Sequence, residues 1–173
     1  MDTREFSIRK AFLLPLGLTL LLSVVLLILC IVQQQPVAKT IILAAMLVPV
    51  SILFAESILR RVTLEEEAIV VRKLLRKKRI VYTDITSVDT VLVRRRAFLS
   101  ISTDPDFVIL SNSYADFSTL VEQFLKRVPE STISMETRQM AKAPPTKSGD
   151  IFSVWLATGL LLLIIYVQLG GAF

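Results

Sequence analysis

The sequence has no histidine, one cysteine (Cys30) and five glycines in 173 residues. Without histidine it lacks the commonest general base and metal ligand, and a lone cysteine makes no internal disulfide. Cys30 lies in an apolar run and reads as a small packing residue, because the bulky Ile28 and Leu29 before it do not suit a lipidation site. No serine–lysine pairing stands out among the scattered serines. Glu65, Glu66 and Glu67 fall at an expected turn, where three adjacent acids point different ways and do not converge on a cation. Catalysis is not expected, and neither is a cofactor or a metal.

Charge is missing from three long stretches. Residues 11–32 and 151–173 contain none, nor do residues 40–55. A hydrocarbon core of ~30 Å takes about 20 apolar residues in a helix, so the first and last runs are long enough; the second reaches that length by continuing past Glu56 to Leu59. The first run exceeds the ~7–15 residues of a signal-peptide core and no small-x-small site follows it, so it is read as retained. Three spans, at about 11–32, 40–59 and 151–169, account for a hydrophobic fraction of 53%.

The basic residues set the orientation. Arg4, Arg9 and Lys10 precede the first span, the short loop after it holds only Lys39, and the other sixteen of the twenty lie between Arg60 and Lys147. Cationic segments resist translocation, which predicts a multi-pass protein of the cytoplasmic (inner) membrane with its N-terminus and residues 60–150 inside. The C-terminus then lies outside. The positive balance is a topology signal and needs no nucleic acid, for which aromatics interleaved with cations are missing.

Residues 1–10 alternate charged and apolar side chains and read as a cytoplasmic segment at headgroup level. Pro15 sits in the first turns of its helix, whereas Pro49 falls inside the second span, where a kink is expected. Between residues 60 and 128 the texture changes to short runs of Val, Ile, Thr, Tyr and Phe broken by turn formers, predicting strands near 61–64, 68–75, 78–82, 87–93, 97–103 and 107–110. One amphipathic helix follows: Phe117, Leu120, Val121, Phe124, Leu125 and Val128 share a face, with Ser113 the expected cap and Pro129 the stop. Residues 129–150, polar and containing Pro144-Pro145, read as a flexible linker. The fold class is thus an α+β membrane protein, with three transmembrane helices and a cytoplasmic antiparallel sheet closed by one helix.

The phrases VTLEEEAIVVRKLLRKKRIVYTDITSV and ADFSTLVEQFL, in that order, carry a resemblance. With a T-x-E hairpin, a basic strand end, an aromatic-x-Asp-Ile step at Tyr82 to Ile85 and a closing helix, residues 60–128 resemble the pleckstrin-homology-like domains of small bacterial membrane proteins. The resemblance implies a seven-stranded, partly open antiparallel β-barrel capped by one C-terminal helix, and it implies no catalytic residues.

The densest charge is the RKLLRKKR run: Arg72, Lys73, Arg76, Lys77, Lys78 and Arg79. Three readings fit it, namely a solvated hairpin that enforces topology, a contact with anionic lipid at about 1 kcal/mol per cation, and a specific ligand site. Arg94, Arg95 and Arg96 fall at another predicted turn, as a solubilising tip or a second lipid contact. Glu56 is read as an interfacial acid paired with Arg60 at i+4; at the bilayer centre it would mark an ion path. Gln168 is read as interfacial.

Function is expected to be non-enzymatic. A membrane-held domain would bind another membrane protein, or a second copy of itself, and so support the assembly of a membrane complex. A sensor of anionic membrane lipids and a subunit of a small transporter are the alternatives.

Overall fold

The computed structural model describes residues 4–93, 96–144 and 149–170. Three helices are long and apolar enough to cross a membrane: α1 (Lys10–Val32), α2 (Val37–Leu59) and α5 (Gly149–Gly170). At 1.5 Å per residue each is roughly 33–35 Å long, matching the hydrocarbon core. The chain divides into two units, one of helices (10–58 and 148–173) and one rich in strands (1–9 and 59–147).

In the helical unit, α1 packs along α5. The Thr19 and Thr158 hydroxyls are 2.7 Å apart, Thr158 also donates to the Pro15 carbonyl, and at the other end Gln168 donates to Gln33 Oε1 at 3.0 Å. Early residues of one helix meet early residues of the other, so the two run parallel. α2, joined to α1 by the short segment 33–36, runs back along α1, with the Phe54 ring over Gly17. Cys30 is fully buried, as a packing residue should be. α2 continues through Pro49 as one helix.

The strand-rich unit holds two antiparallel sheets. The first has the order β1 (Arg4–Ser7), β2 (Arg61–Leu64), β3 (Ala68–Arg72), β4 (Lys77–Val81), and the second β5 (Ile85–Val93), β6 (Arg96–Thr103), β7 (Phe107–Ser111). No closed barrel is present among the described residues. At one corner the sheets meet: Ile8 bridges Tyr114, and the Ala115 N–H donates to the Ser7 carbonyl at 2.8 Å. Val62, Leu64 and Ile69 from the first sheet and Val88, Leu99, Ile101 and Leu110 from the second are fully buried. Helix α3 (Phe117–Leu125) closes this core with Phe117, Leu120, Val121 and Phe124, and the Phe124 ring lies 6.1 Å from that of Tyr82.

Several expectations need correction. Residues 4–7, expected only as an alternating segment, form a strand: Phe6 and Ile8 turn inward at a period of two, and Arg4 to Ser7 pair with Leu64 to Arg61. The two spans 10–32 and 37–59 are therefore inserted between neighbouring strands of one sheet. β3 ends at Arg72, not at Leu75, because the Lys73 N–H donates to the Arg76 carbonyl at 2.8 Å and closes a turn with Leu74 and Leu75 at its tip. The α3 cap is Asp116, in a left-handed conformation (φ 49°) with no side-chain cap bond, rather than Ser113, and the helix stops at Leu125.

The stretch read as flexible contains order through residue 142. Ile133 bridges Val88 in parallel, and α4 (Met135–Lys142) is capped by Ser134, whose oxygen accepts from the Thr137 N–H. Thr137, fully buried, shares hydrogen bonds with the Val88 carbonyl and the Thr90 hydroxyl at 3.1 and 2.9 Å. The segment thus covers the free edge of β5, a common way to blunt an edge strand.

Candidate functional surfaces

Two surfaces of the strand-rich unit stand out, one charged and one apolar. The charged one is the end of the first sheet where the chain leaves α2 at Leu59 and starts β2 at Arg61. Register puts three cations in one row across three strands: Arg61 opposite Arg72, and Arg72 opposite Lys77. Like charges directly opposite destabilise a sheet by up to about 1 kcal/mol per pair. Only Arg61 finds relief, donating to Glu5 at 2.8 Å. The side chains of Arg72, Lys73, Arg76 and Lys77 have no hydrogen-bond or ion-pair partner among the described residues.

Leu74 and Leu75 form the tip between these cations, Leu74 half-buried and Leu75 89% exposed. The row and the turn border an open groove of about 610 Å³ that Leu59 also lines.

Two of the six cations of the run are committed to acids within the fold. Lys78 lies opposite Val71, on the inner face, and spans to the second sheet, where it pairs with Asp106 and donates to the Phe107 carbonyl at 2.8 Å. The hydrogen bond from Lys78 holds the Asp106 carboxyl below its usual range. Arg79 donates to Glu65 at 3.2 Å, which commits that acid. Lys78 and Arg79 therefore join parts of the fold. Arg72, Lys73, Arg76 and Lys77 are committed to no acid among the described residues, and Arg61 lies opposite Arg72.

The apolar surface is the outer face of the second sheet. Register places Val91 beside Phe98, Ser100 beside Ile109, and Ser102 beside Phe107. Val91, Val93, Phe107 and Ile109 on this face are 54%, 51%, 61% and 43% exposed. On a solvated sheet face polar residues normally alternate with the buried set, and these four exposed apolar side chains depart from that pattern.

Of the other predicted positions, Arg96 opens β6 and is exposed, while Arg94 and Arg95 lie outside the described residues. Glu56 is half-buried on α2 and has no ion-pair partner among the described residues. The helix ends at Leu59, so Arg60 falls outside the i, i+4 geometry that the expected pair required. Gln168 bonds to Gln33 at the ends of α5 and α1. Arg61 and the tip leucines were not among the predicted site residues; the signal was an arginine directly after a span, followed by strand texture.

No protein-family model, curated protein or solved structure matches the chain.

Proposed function

We propose that the protein is a non-enzymatic interaction protein of the cytoplasmic membrane, whose strand-rich unit is a pleckstrin-homology-like domain that docks a second membrane protein. Seven strands in a four-plus-three arrangement followed by a closing helix support the domain reading. The parallel course of α1 and α5, with α2 opposed, supports an orientation in which residues 4–9 and 60–148 share one side, and the basic residues assign that side to the cytoplasm.

The observation that carries the docking reading is the apolar outer face of Val91, Val93, Phe98, Phe107 and Ile109. Val91 lies directly opposite Phe98, Ile109 and Phe107 lie opposite the serines next along β6, and Val91, Val93, Phe107 and Ile109 are all exposed. A partner held in the same membrane meets this face at a high effective concentration, so a modest apolar patch suffices.

The test is to purify the full-length protein from gently solubilised native membranes beside the Val91→Lys, Ile109→Lys double variant. Both changes are on exposed positions and leave the inner face intact. Loss of a reproducible membrane-protein partner from the variant, with unchanged yield and monodispersity, is expected. An identical set of partners would overturn the assignment of this face.

A further inference from the structure

We infer that the β3–β4 turn is a bilayer-seated clamp for anionic phospholipid, with Leu74 and Leu75 in the acyl boundary and the cations around them on the headgroup phosphates. The inference is argued without the docking face, although Lys73 and Arg76 line a groove with Phe107 and Ile109, and it rests on three observations.

The first is the uncompensated row. Arg61, Arg72 and Lys77 stand side by side across β2, β3 and β4, with Glu5 the one acid beside them. A row of this kind costs stability in the free domain and is relieved when anions bind over it. The second is the tip itself. Lys73 and Arg76 flank two leucines in a closed turn, and Leu75 is the most exposed of the large apolar residues described. An apolar tip ringed by cations suits the water–lipid boundary, where long cationic side chains reach the phosphates while their stems and the apolar tip lie deeper.

The third is position along the chain. α2 ends at Leu59, Arg61 starts β2 and pairs with Arg72, and the turn follows Arg72 directly. Leu59 lines the same groove as the row and the turn. The cations are thus carried where the chain leaves a helix that spans the bilayer, within reach of its headgroups.

The occupant we commit to is the anionic leaflet, recognised by charge density and apolar depth without stereospecific headgroup contacts. The groove is open, no acid is among the residues that line it, and Glu5, the acid beside the row, is already paired with Arg61.

The experiment uses the full-length protein in nanodiscs. Cys30 is changed to alanine and Leu75→Cys carries an environment-sensitive fluorophore; a second label replaces Glu66, exposed at the β2–β3 turn. In discs containing a third anionic lipid, the label at position 75 is expected to report an apolar setting and to be reached by acyl-chain quenchers, while position 66 stays water-like. Each of Arg72, Lys73, Arg76 and Lys77 changed to Gln should lower the ratio of inserted to free turn about fivefold, the factor implied by ~1 kcal/mol per cation, and 0.5 M salt should act the same way. A water-like label at position 75 in anionic discs overturns the clamp. So does equal insertion in zwitterionic discs, which would assign the seating to the leucines alone. Inorganic phosphate or inositol hexakisphosphate is added to zwitterionic discs as a further arm. Saturable binding of either, with no insertion in anionic discs, would make the site one for a free phosphate compound and overturn the lipid assignment.

Discussion

The strand-rich unit is split in sequence, and that split predicts how the unit behaves when cut out. A chain of residues 60–144 contains β2 to β7, α3 and α4 but omits β1, which pairs with β2 over four residues and buries Phe6 and Ile8. Fully burying such side chains stabilises by about 1.5–3 kcal/mol each, so omitting both removes roughly 3–6 kcal/mol. A small domain has about 5–15 kcal/mol in total, so the shortened chain should be partly unfolded. Ser7 lies opposite Arg61, so residues 10–59 are replaceable by a flexible Gly/Ser connection of about ten residues, at a closure cost that grows only slowly with length. The joined chain, residues 1–9 linked to 60–144, should fold in detergent-free buffer. Urea unfolding followed by far-UV circular dichroism measures the difference: the joined chain should show a higher midpoint and a larger m-value, since it exposes more surface on unfolding. Equal midpoints and m-values would refute the claim that β1 belongs to the domain core.

Three further outcomes follow from buried contacts. Thr137→Val removes the hydroxyl that reaches the Val88 carbonyl, Thr90 and Ser134, at an expected cost of about 1–2 kcal/mol; amide exchange over residues 130–142 should speed up about 5–30-fold, and unchanged exchange would argue against α4 as an edge cover. Thr158→Val should cost less than about 1 kcal/mol in mixed-micelle unfolding, because Thr19 keeps its own bond to the Pro15 carbonyl at 2.8 Å. Burial raises the Tyr82 pKa above its ordinary 10.0 despite the neighbouring Arg127, so Tyr82 contributes stability that is complete below about pH 10 and is lost as pH rises through the raised value. Thermal unfolding between pH 9 and pH 11 should therefore fall more steeply for the wild type than for Tyr82→Phe.

The elements read correctly from the sequence are those whose signal is local. The three spans follow from runs without charge, β2 and β4 to β7 from β-branched texture, and α3 from a stripe that repeats within a dozen residues. β1 was legible only as alternation, because its partner Arg61 stands beyond two membrane helices and nothing local announces the pairing. α4 escaped because its inward residues are Thr137 and Met140, and a threonine buried for its hydrogen bonds adds nothing to an apolar period. The charged site was legible as a run of six cations, but its division was not. Whether a cation is free depends on which acid the fold brings within reach: Lys78, on the face of Val71, meets Asp106 and Arg79 meets Glu65, while Lys77, in the row with Arg72 and Arg61, meets neither.

That row bears on what the cations do. A charge signal for membrane orientation requires only a sufficient number of positive charges near the spans, and any spacing meets the requirement. Keeping the domain soluble also requires only number, and is better served by mixed signs, since an acid at position 72 or 77 would turn two repulsive pairs or one into attractive ones. Neither task explains three cations in register, nor two leucines at the tip of the turn that joins two of them. An anionic surface explains both features, because it neutralises a row more effectively than scattered charges and accepts the leucines that water disfavours. Replacing Lys77 by Glu therefore separates the tasks. It should raise the stability of the joined chain by up to about 1 kcal/mol while weakening its seating on anionic vesicles, whereas a purely solubilising hairpin would gain the stability and lose nothing.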